Sequence, residues 1–283
     1  MISYTRSTGG DVVVSFSQKG LRLLFIVRLT SCVVGSDLAS FCSDSKELQK
    51  QYQLVIDFLS LSFINVELPA SNASSLALHL AALSDLKDET PSLKLAITLS
   101  TSSVSGVDDD GLSILSAIQA SALKDKVDIV NLNAFNFASA PNGQTAMGSY
   151  VISSVEGLKS SLDTLGYSKT QKLGVTVMIG QNDVQSELFS KEDAKQLVKW
   201  VKKTPLVSFL SYFSFDTDPV GQYAAEFVGW AGTLSYHEPV NVIQSPVILS
   251  KAVAITTVST TGSCGAAFGI CPGSACCSRY GYW

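Results

Sequence analysis

The chain is short of charge. Only 16% of its 283 residues are Asp, Glu, Lys or Arg, and the formal net charge is −4. No basic block breaks this balance, so the electrostatic footprint of nucleic-acid binding is missing. Histidine is nearly absent. His79 lies in an apolar helical stretch and reads as packed or surface-exposed, and His237 has no Cys or Ser partner in a known pattern. No His/Cys spacing suggests zinc. No glycine-rich phosphate fingerprint of the G-x-G-x-x-G or Walker type follows an apolar run. No cofactor and no metal are therefore expected. The first residues, Met1 to Arg6, carry no secretory pattern. The most apolar early stretch, Leu21 to Val34, is short and contains Arg22 and Arg28. That argues against a membrane span.

What is present is apolar material. Hydrophobic residues make up 46% of the chain, enough for one large α/β domain with a small appendage. Cysteine is unevenly placed. Cys32 and Cys42 stand alone, while Cys264, Cys271, Cys276 and Cys277 crowd the C-terminus. A dense terminal cluster reads as a disulfide framework and an oxidising compartment. Asn72-Ala73-Ser74 is a glycosylation sequon, a tripeptide that also arises by chance.

Periodicity gives alternating elements. Val12 to Phe16 is β-branched and apolar, a buried strand after Gly9-Gly10. Leu48, Tyr52, Val55, Ile56 and Leu59 recur at helical spacing. Strands are expected at 63–66, 93–99, 127–135, 173–179 and 207–215, with helices at 72–86, 109–123, 149–165 and 190–203 between them. Ser71 or Asn72 would cap the helix at 72, and Ser190 to Asp193 resembles a capping box. Residues 219–240 read as a closing helix or a loop extension. Six strands alternating with helices imply parallel pairing with helical crossovers. Such a set makes either an open doubly wound sheet or part of a (β/α)₈ barrel, which needs eight strands. Read alone, Glu67 after Phe63-Ile64-Asn65-Val66 is a solvated carboxylate at a strand end.

Several motifs in order resemble the glycoside hydrolase family 18 chitinases over roughly residues 9–218. Gly9 to Phe16 is similar to the family's third barrel strand. Ser60 to Glu67 is similar to the fourth, which in the family reads Asp-x-x-Asp-x-Asp-x-Glu. Here Ser60, Phe63 and Asn65 occupy the aspartate positions, and Glu67 keeps the glutamate. Val130 to Phe137 is similar to the sixth strand, with Asn136-Phe137 in place of Asp-Tyr. Val175 to Asp183 is similar to the seventh. Ser208 to Asp218 is similar to the eighth, with Phe213 at a tryptophan position and Thr217 at an arginine position. Cys264 to Tyr282 resembles a hevein-type chitin-binding module through Cys276-Cys277-Ser278-Arg279-Tyr280-Gly281-Tyr282.

The resemblance implies an α/β fold of the (β/α)₈ kind, incomplete at about six βα units, with a small cysteine-rich C-terminal module. Its parts would be a barrel domain over 1–240, a linker over 241–263 that is rich in Ser and Thr from 250, and a truncated module over 264–283. The family's first two strands have no counterpart. Residues 18–34 look like an insertion, and the module stops before its next cysteine. A lost first exon, a retained intron and a missing 3′ end would account for these features and for the missing signal. The open edge at Val12–Phe16 would then favour aggregation.

The resemblance also implies chemistry. Family 18 hydrolysis is substrate-assisted, outside the two-carboxylate scheme. A glutamic acid protonates the glycosidic oxygen while the sugar's own acetamide attacks the anomeric carbon. Glu67 would be that acid, and Asn65 stands where an aspartate would orient the acetamide and stabilise its positive charge. Asn65 carries no charge, so turnover would be weak or lost. Asn136, Phe137, Gln181 and Phe213 would contact the sugar, with Phe213 as a stacking floor. In the module, Ser278, Tyr280 and Tyr282 would hold N-acetylglucosamine. The family's pairing would join Cys264 to Cys277, and with one bond the module would be disordered. The implied protein is a secreted or cell-wall monomer that binds chitin or chitooligosaccharides, with an active endochitinase as the alternative. No nucleic acid or membrane partner is implied.

Overall fold

The computed structural model describes residues 13–17, 20–21, 37–101, 106–137, 147–167, 171–213, 217–218 and 222–231. Among these residues nine strands run in chain order: β1 Val14–Ser17, β2 Gly20–Leu21, β3 Phe63–Glu67, β4 Lys94–Ser100, β5 Ile129–Asn133, β6 Lys172–Met178, β7 Gly180–Gln181, β8 Leu188–Phe189 and β9 Val207–Phe213. Six helices accompany them among the described residues: α1 Ser45–Leu59, α2 Ala73–Glu89, α3 Asp109–Gln119, α4 Met147–Thr164, α5 Lys191–Val201 and α6 Gln222–Ala231. A 3₁₀ turn, Leu38–Phe41, precedes α1.

The main sheet has the order β2-β1-β3-β4-β5-β6-β9. Every pairing from β1 to β9 is parallel, and only β2 runs antiparallel, against Phe16 and Ser17 of β1. The order follows the chain without reversal. A doubly wound sheet reverses at a switch point, so that alternative is overturned. The edge expected to be open at Val12–Phe16 is covered at Phe16 and Ser17 by β2.

The sheet is also curled. From β3 to β9 there are four inter-strand steps, about 19 Å if flat. Yet the rings of Phe63 and Phe209, from those two strands, meet edge to face with centroids 5.5 Å apart. Gly174 on β6 makes room for this contact. A Cβ there would lie 2.7 Å from Asn131 Oδ1 and 2.9 Å from Phe209 Cδ1. The six parallel strands thus form a half-barrel, with helices on the convex side.

The helices sit where capping and periodicity direct them. Asp44 caps α1 by accepting from the Glu47 amide at 2.8 Å. The helix buries Leu48, Tyr52, Val55, Ile56 and Leu59 and stops at Ser60, in the left-handed region at φ 51°. Of the two expected caps of α2, Asn72 is the one used, accepting from the Ser75 amide at 3.1 Å. The Ser190/Asp193 capping box of α5 is formed. One expected end moves. Helix α3 stops at Gln119, short of Leu123, although Leu123 is still fully buried through a following turn. Strand β9 is described over Val207–Phe213, and its expected end at 215 lies outside the described residues. The region 219–240 does contain a helix, α6, whose amides at Gln222, Tyr223 and Ala224 donate to the buried carboxylate of Asp218. The linker and the cysteine-rich module, with Ser278, Tyr280, Tyr282, Cys264 and Cys277, lie outside the described residues.

Candidate active site

Strand alternation fixes which residues face the concave side. On β3 these are Phe63, Asn65 and Glu67. On β4 they are Lys94, Ala96, Thr98 and Ser100, and on β5 Ile129, Asn131 and Asn133. β6 gives Lys172, Gly174, Thr176 and Met178, while β9 gives Phe209, Ser211 and Phe213.

A continuous chain of hydrogen bonds crosses this face at mid-height, with one residue from each parallel strand. The Asn65 amide donates to Ser15 Oγ at 2.7 Å and accepts from Thr98 Oγ1 at 2.6 Å. Asn131 Nδ2 donates to Thr98 Oγ1 and to Thr176 Oγ1, each at 2.9 Å. Thr176 and Ser211 share a bond of 2.6 Å. Asn65, Thr98 and Asn131 are all buried. In an apolar interior such groups are tolerated only because each finds a partner. The belt holds no formal charge.

Glu67 stands one step above this belt, at the C-terminal end of β3, where βα barrels carry their chemistry. It is half-buried. Asn133 Nδ2 donates to its Oε1 at 3.4 Å. Phe213 ends β9 on the same face and is 38% exposed, so its ring offers an apolar surface at the rim.

The other candidates are employed differently. Asn136, in the left-handed region at φ 56°, ties two loops together. Its Nδ2 donates to Asp183 Oδ2 at 2.9 Å, and its Oδ1 accepts from the Val184 amide at 3.4 Å. Gln181 Nε2 turns back onto its own loop and donates to the Glu187 carbonyl at 2.8 Å. Phe137 is 1% exposed and packs edge to face on Tyr150, so in this conformation its ring offers no surface to a sugar. His79 is packed rather than exposed. Its ring nitrogens meet Asp37 Oδ1 at 2.7 Å and Tyr52 Oη at 2.6 Å, on the helical side.

The belt residues Ser15, Thr98, Asn131, Thr176 and Ser211, and the Glu67 partner Asn133, were not singled out from the sequence. Their signal was a polar residue at every second position in otherwise apolar strands. Among the described strand residues on this face, the site presents one carboxylate, Glu67, above a neutral hydrogen-bonded floor and beside an aromatic rim.

No family model matches the chain. Over 220 residues it is 24% identical to a probable bifunctional chitinase/lysozyme of Escherichia coli, covering 72% of this chain and 23% of that protein. Over 221 residues it is 25% identical to endochitinase 11 of Metarhizium anisopliae, covering 72% of this chain and 40% of that one. The chain therefore spans less than half the length of these curated relatives. Among solved structures, the catalytic domain of a hyperthermophilic Pyrococcus furiosus chitinase superposes with a TM-score of 0.66 at 21% identity, covering 83% of this chain and 91% of that domain. A catalytic-site mutant of active domain 2 of the Pyrococcus furiosus chitinase, solved with chito-oligosaccharides, gives 0.66 at 23% identity. A family 18 chitinase from a fern gives 0.52 at 12% identity. This chain shares the fold of these chitinase catalytic domains, in half-barrel form.

Proposed function

We propose that this protein binds N-acetylglucosamine polymer on a family 18 scaffold, with hydrolysis weak or lost. One observation carries the reading: Asn65 is bonded on both sides into a neutral belt, so no second carboxylate stands below Glu67 on β3. The transition state of acetamide-assisted cleavage gathers positive charge beside the anomeric carbon. A neutral amide there can orient an acetamide but stabilises that charge poorly. Losing one preorganised electrostatic partner commonly costs about 10²–10³ in rate. Phe213 would stack on the apolar face of a sugar, and Glu67 and Asn133 would meet its polar edge. The resemblance of residues 264–283 to a chitin-binding module, with Ser278, Tyr280 and Tyr282 as its sugar contacts, points to the same polymer, and so to a secreted or cell-wall protein acting as a monomer.

Retention of Glu67 at the strand end favours a second reading, an endochitinase in which Glu67 remains a working acid. Chitooligosaccharide binding by calorimetry, run beside a product assay, separates the two. Saturable binding with no product above background supports the first reading. Product that Glu67→Gln abolishes supports the second. Neither binding nor product would overturn both.

A further inference from the structure

The opposite end of the half-barrel has its own feature. At the N-terminal ends of the strands lies a cavity of about 590 Å³, with Lys94, Lys124, Asp125, Ile129, Lys172 and Ser208 in its wall. Strand parity explains why lysines gather there. Lys94 opens β4 on the concave face, beside Phe63 in register. Lys172 opens β6 on the same face, paired with Ile129 of β5. Two strand spacings and a two-residue offset in register separate their backbones by about 12 Å, a span that two flexible lysine stems can close upon a small ion. Lys124 comes from the turn before β5.

The charge here is not locally balanced. Among the described residues none of these three lysines makes an ion pair, and Lys172 Nζ reaches only the Pro205 carbonyl at 3.3 Å. Asp128, also in the wall, is already engaged by Lys87 Nζ at 2.9 Å and the Leu95 amide at 2.8 Å. Of the two described carboxylates in the wall, Asp125 alone is left against three lysines, in a chain of net charge −4. The wall also holds an unused donor, since the Ser208 hydroxyl is buried without a hydrogen-bond partner. Buried hydroxyls in native proteins rarely go unpaired without a reason.

We propose that this lower mouth binds a small multivalent oxyanion of the phosphate or sulfate type, held by Lys94, Lys172 and Lys124 with Ser208 as a neutral donor. Charge-assisted bonds to such oxygens are the strong ones. Lys94 is level with Phe63, four residues before Glu67 on β3, which puts it about 13 Å below Glu67 along the strands, and the site stands independently of the sugar reading.

The test is a titration of the full chain with inorganic phosphate and, separately, with N-acetylglucosamine 6-sulfate, at constant ionic strength, followed by NMR of the lysine side chains. Saturable shifts of Lys94 and Lys172 are expected. Lys94→Met and Lys172→Met keep the aliphatic stems and should each weaken binding about tenfold, while Lys94→Arg should retain it. Lys159→Met, remote from the cavity, is the control. Phosphate binding alone assigns a free oxyanion. Binding of both, with the sugar tighter, assigns an anionic sugar. Linear, unsaturable shifts, or equal weakening by Lys159→Met, would overturn the site. Unfolding midpoints measured without ligand separate lost binding from lost fold.

Discussion

Two chains of hydrogen-bonded side chains run through this molecule, one inside the curl of the sheet and one behind it. Inside, Ser15, Asn65, Thr98, Asn131, Thr176 and Ser211 link six strands without a formal charge. Behind, Asp37 accepts from Ser75 and pairs with His79, which meets Tyr52. That chain fastens the 3₁₀ turn and α1 to α2 through an ionisable carboxylate. The contrast bears on function. A carboxylate stands where helices are held together, and amides and hydroxyls stand inside the curl below Glu67, where the proposed reading turns on charge. Both networks satisfy their buried atoms, so stability alone does not demand charge at either place. The sheet interior is a continuous hydrogen-bonded floor without a formal charge, and the proposed loss of hydrolysis rests on that neutrality.

The sharpest way to break the comparison is to put charge inside. Asn65→Asp would meet two hydroxyl neighbours. Thr98 already donates to this position, and Ser15 can rotate from acceptor to donor. The belt is therefore wired to receive a carboxylate without rebuilding. If Glu67 is a competent acid, chitooligosaccharide cleavage should rise by about 10²-fold or more, and Glu67→Gln in the same background should abolish the gain. A well-folded Asn65→Asp protein with no gain would place the defect elsewhere, with Asn136 and Phe137 the first positions to restore. Such groups act together, so their effects will not add.

The belt itself can be cut. Thr98→Val keeps the shape but strands Asn65 Oδ1 and one hydrogen of Asn131, both buried. Each orphaned group costs about 1–3 kcal/mol, which a urea unfolding curve would register. Ser211→Ala, at the belt's end, leaves Thr176 with Asn131 as partner. It should cost only about 0.5–1.5 kcal/mol. Equal effects at the two positions would show that the belt does not act as a chain.

The belt also marks where the sequence stopped being legible. Every strand of the half-barrel was readable from apolar runs, and Glu67 from its place at a strand end. Which side chains would touch was not. Asn65 is in register with Ala96, yet it bonds to Thr98, two residues further along β4. That stagger comes from the tilt and curl of the sheet, which no single strand encodes. The same limit applies to His79. One histidine in an apolar helix gives no sign of partners 27 and 42 residues away. Phe137 failed to read for a simpler reason. Position after a strand does not say whether a ring turns toward the mouth or into the core, and Tyr150 on α4 draws it inward.

The smallest expected effect belongs to the outer network and is read through pH. Burial alone would raise the Asp37 pKa. The bonds from His79 and Ser75, the charge interaction with His79 and the Ala39 amide outweigh it and hold Asp37 below its ordinary 3.8. A folded-state pKa below the unfolded one means that the unfolded chain takes up the proton first. The stabilisation is therefore complete above the ordinary value and is lost as pH falls through the depressed one. Other carboxylates titrate in the same window, so the informative quantity is a difference. Unfolding free energy measured from pH 6 downward should fall more steeply below about pH 4 in the wild type than in Asp37→Asn. The Thr98→Val curve should run parallel to wild type, since the inner belt contributes no titrating group. Parallel curves for wild type and Asp37→Asn would mean that the outer chain, like the inner one, is held by hydrogen bonds without help from charge.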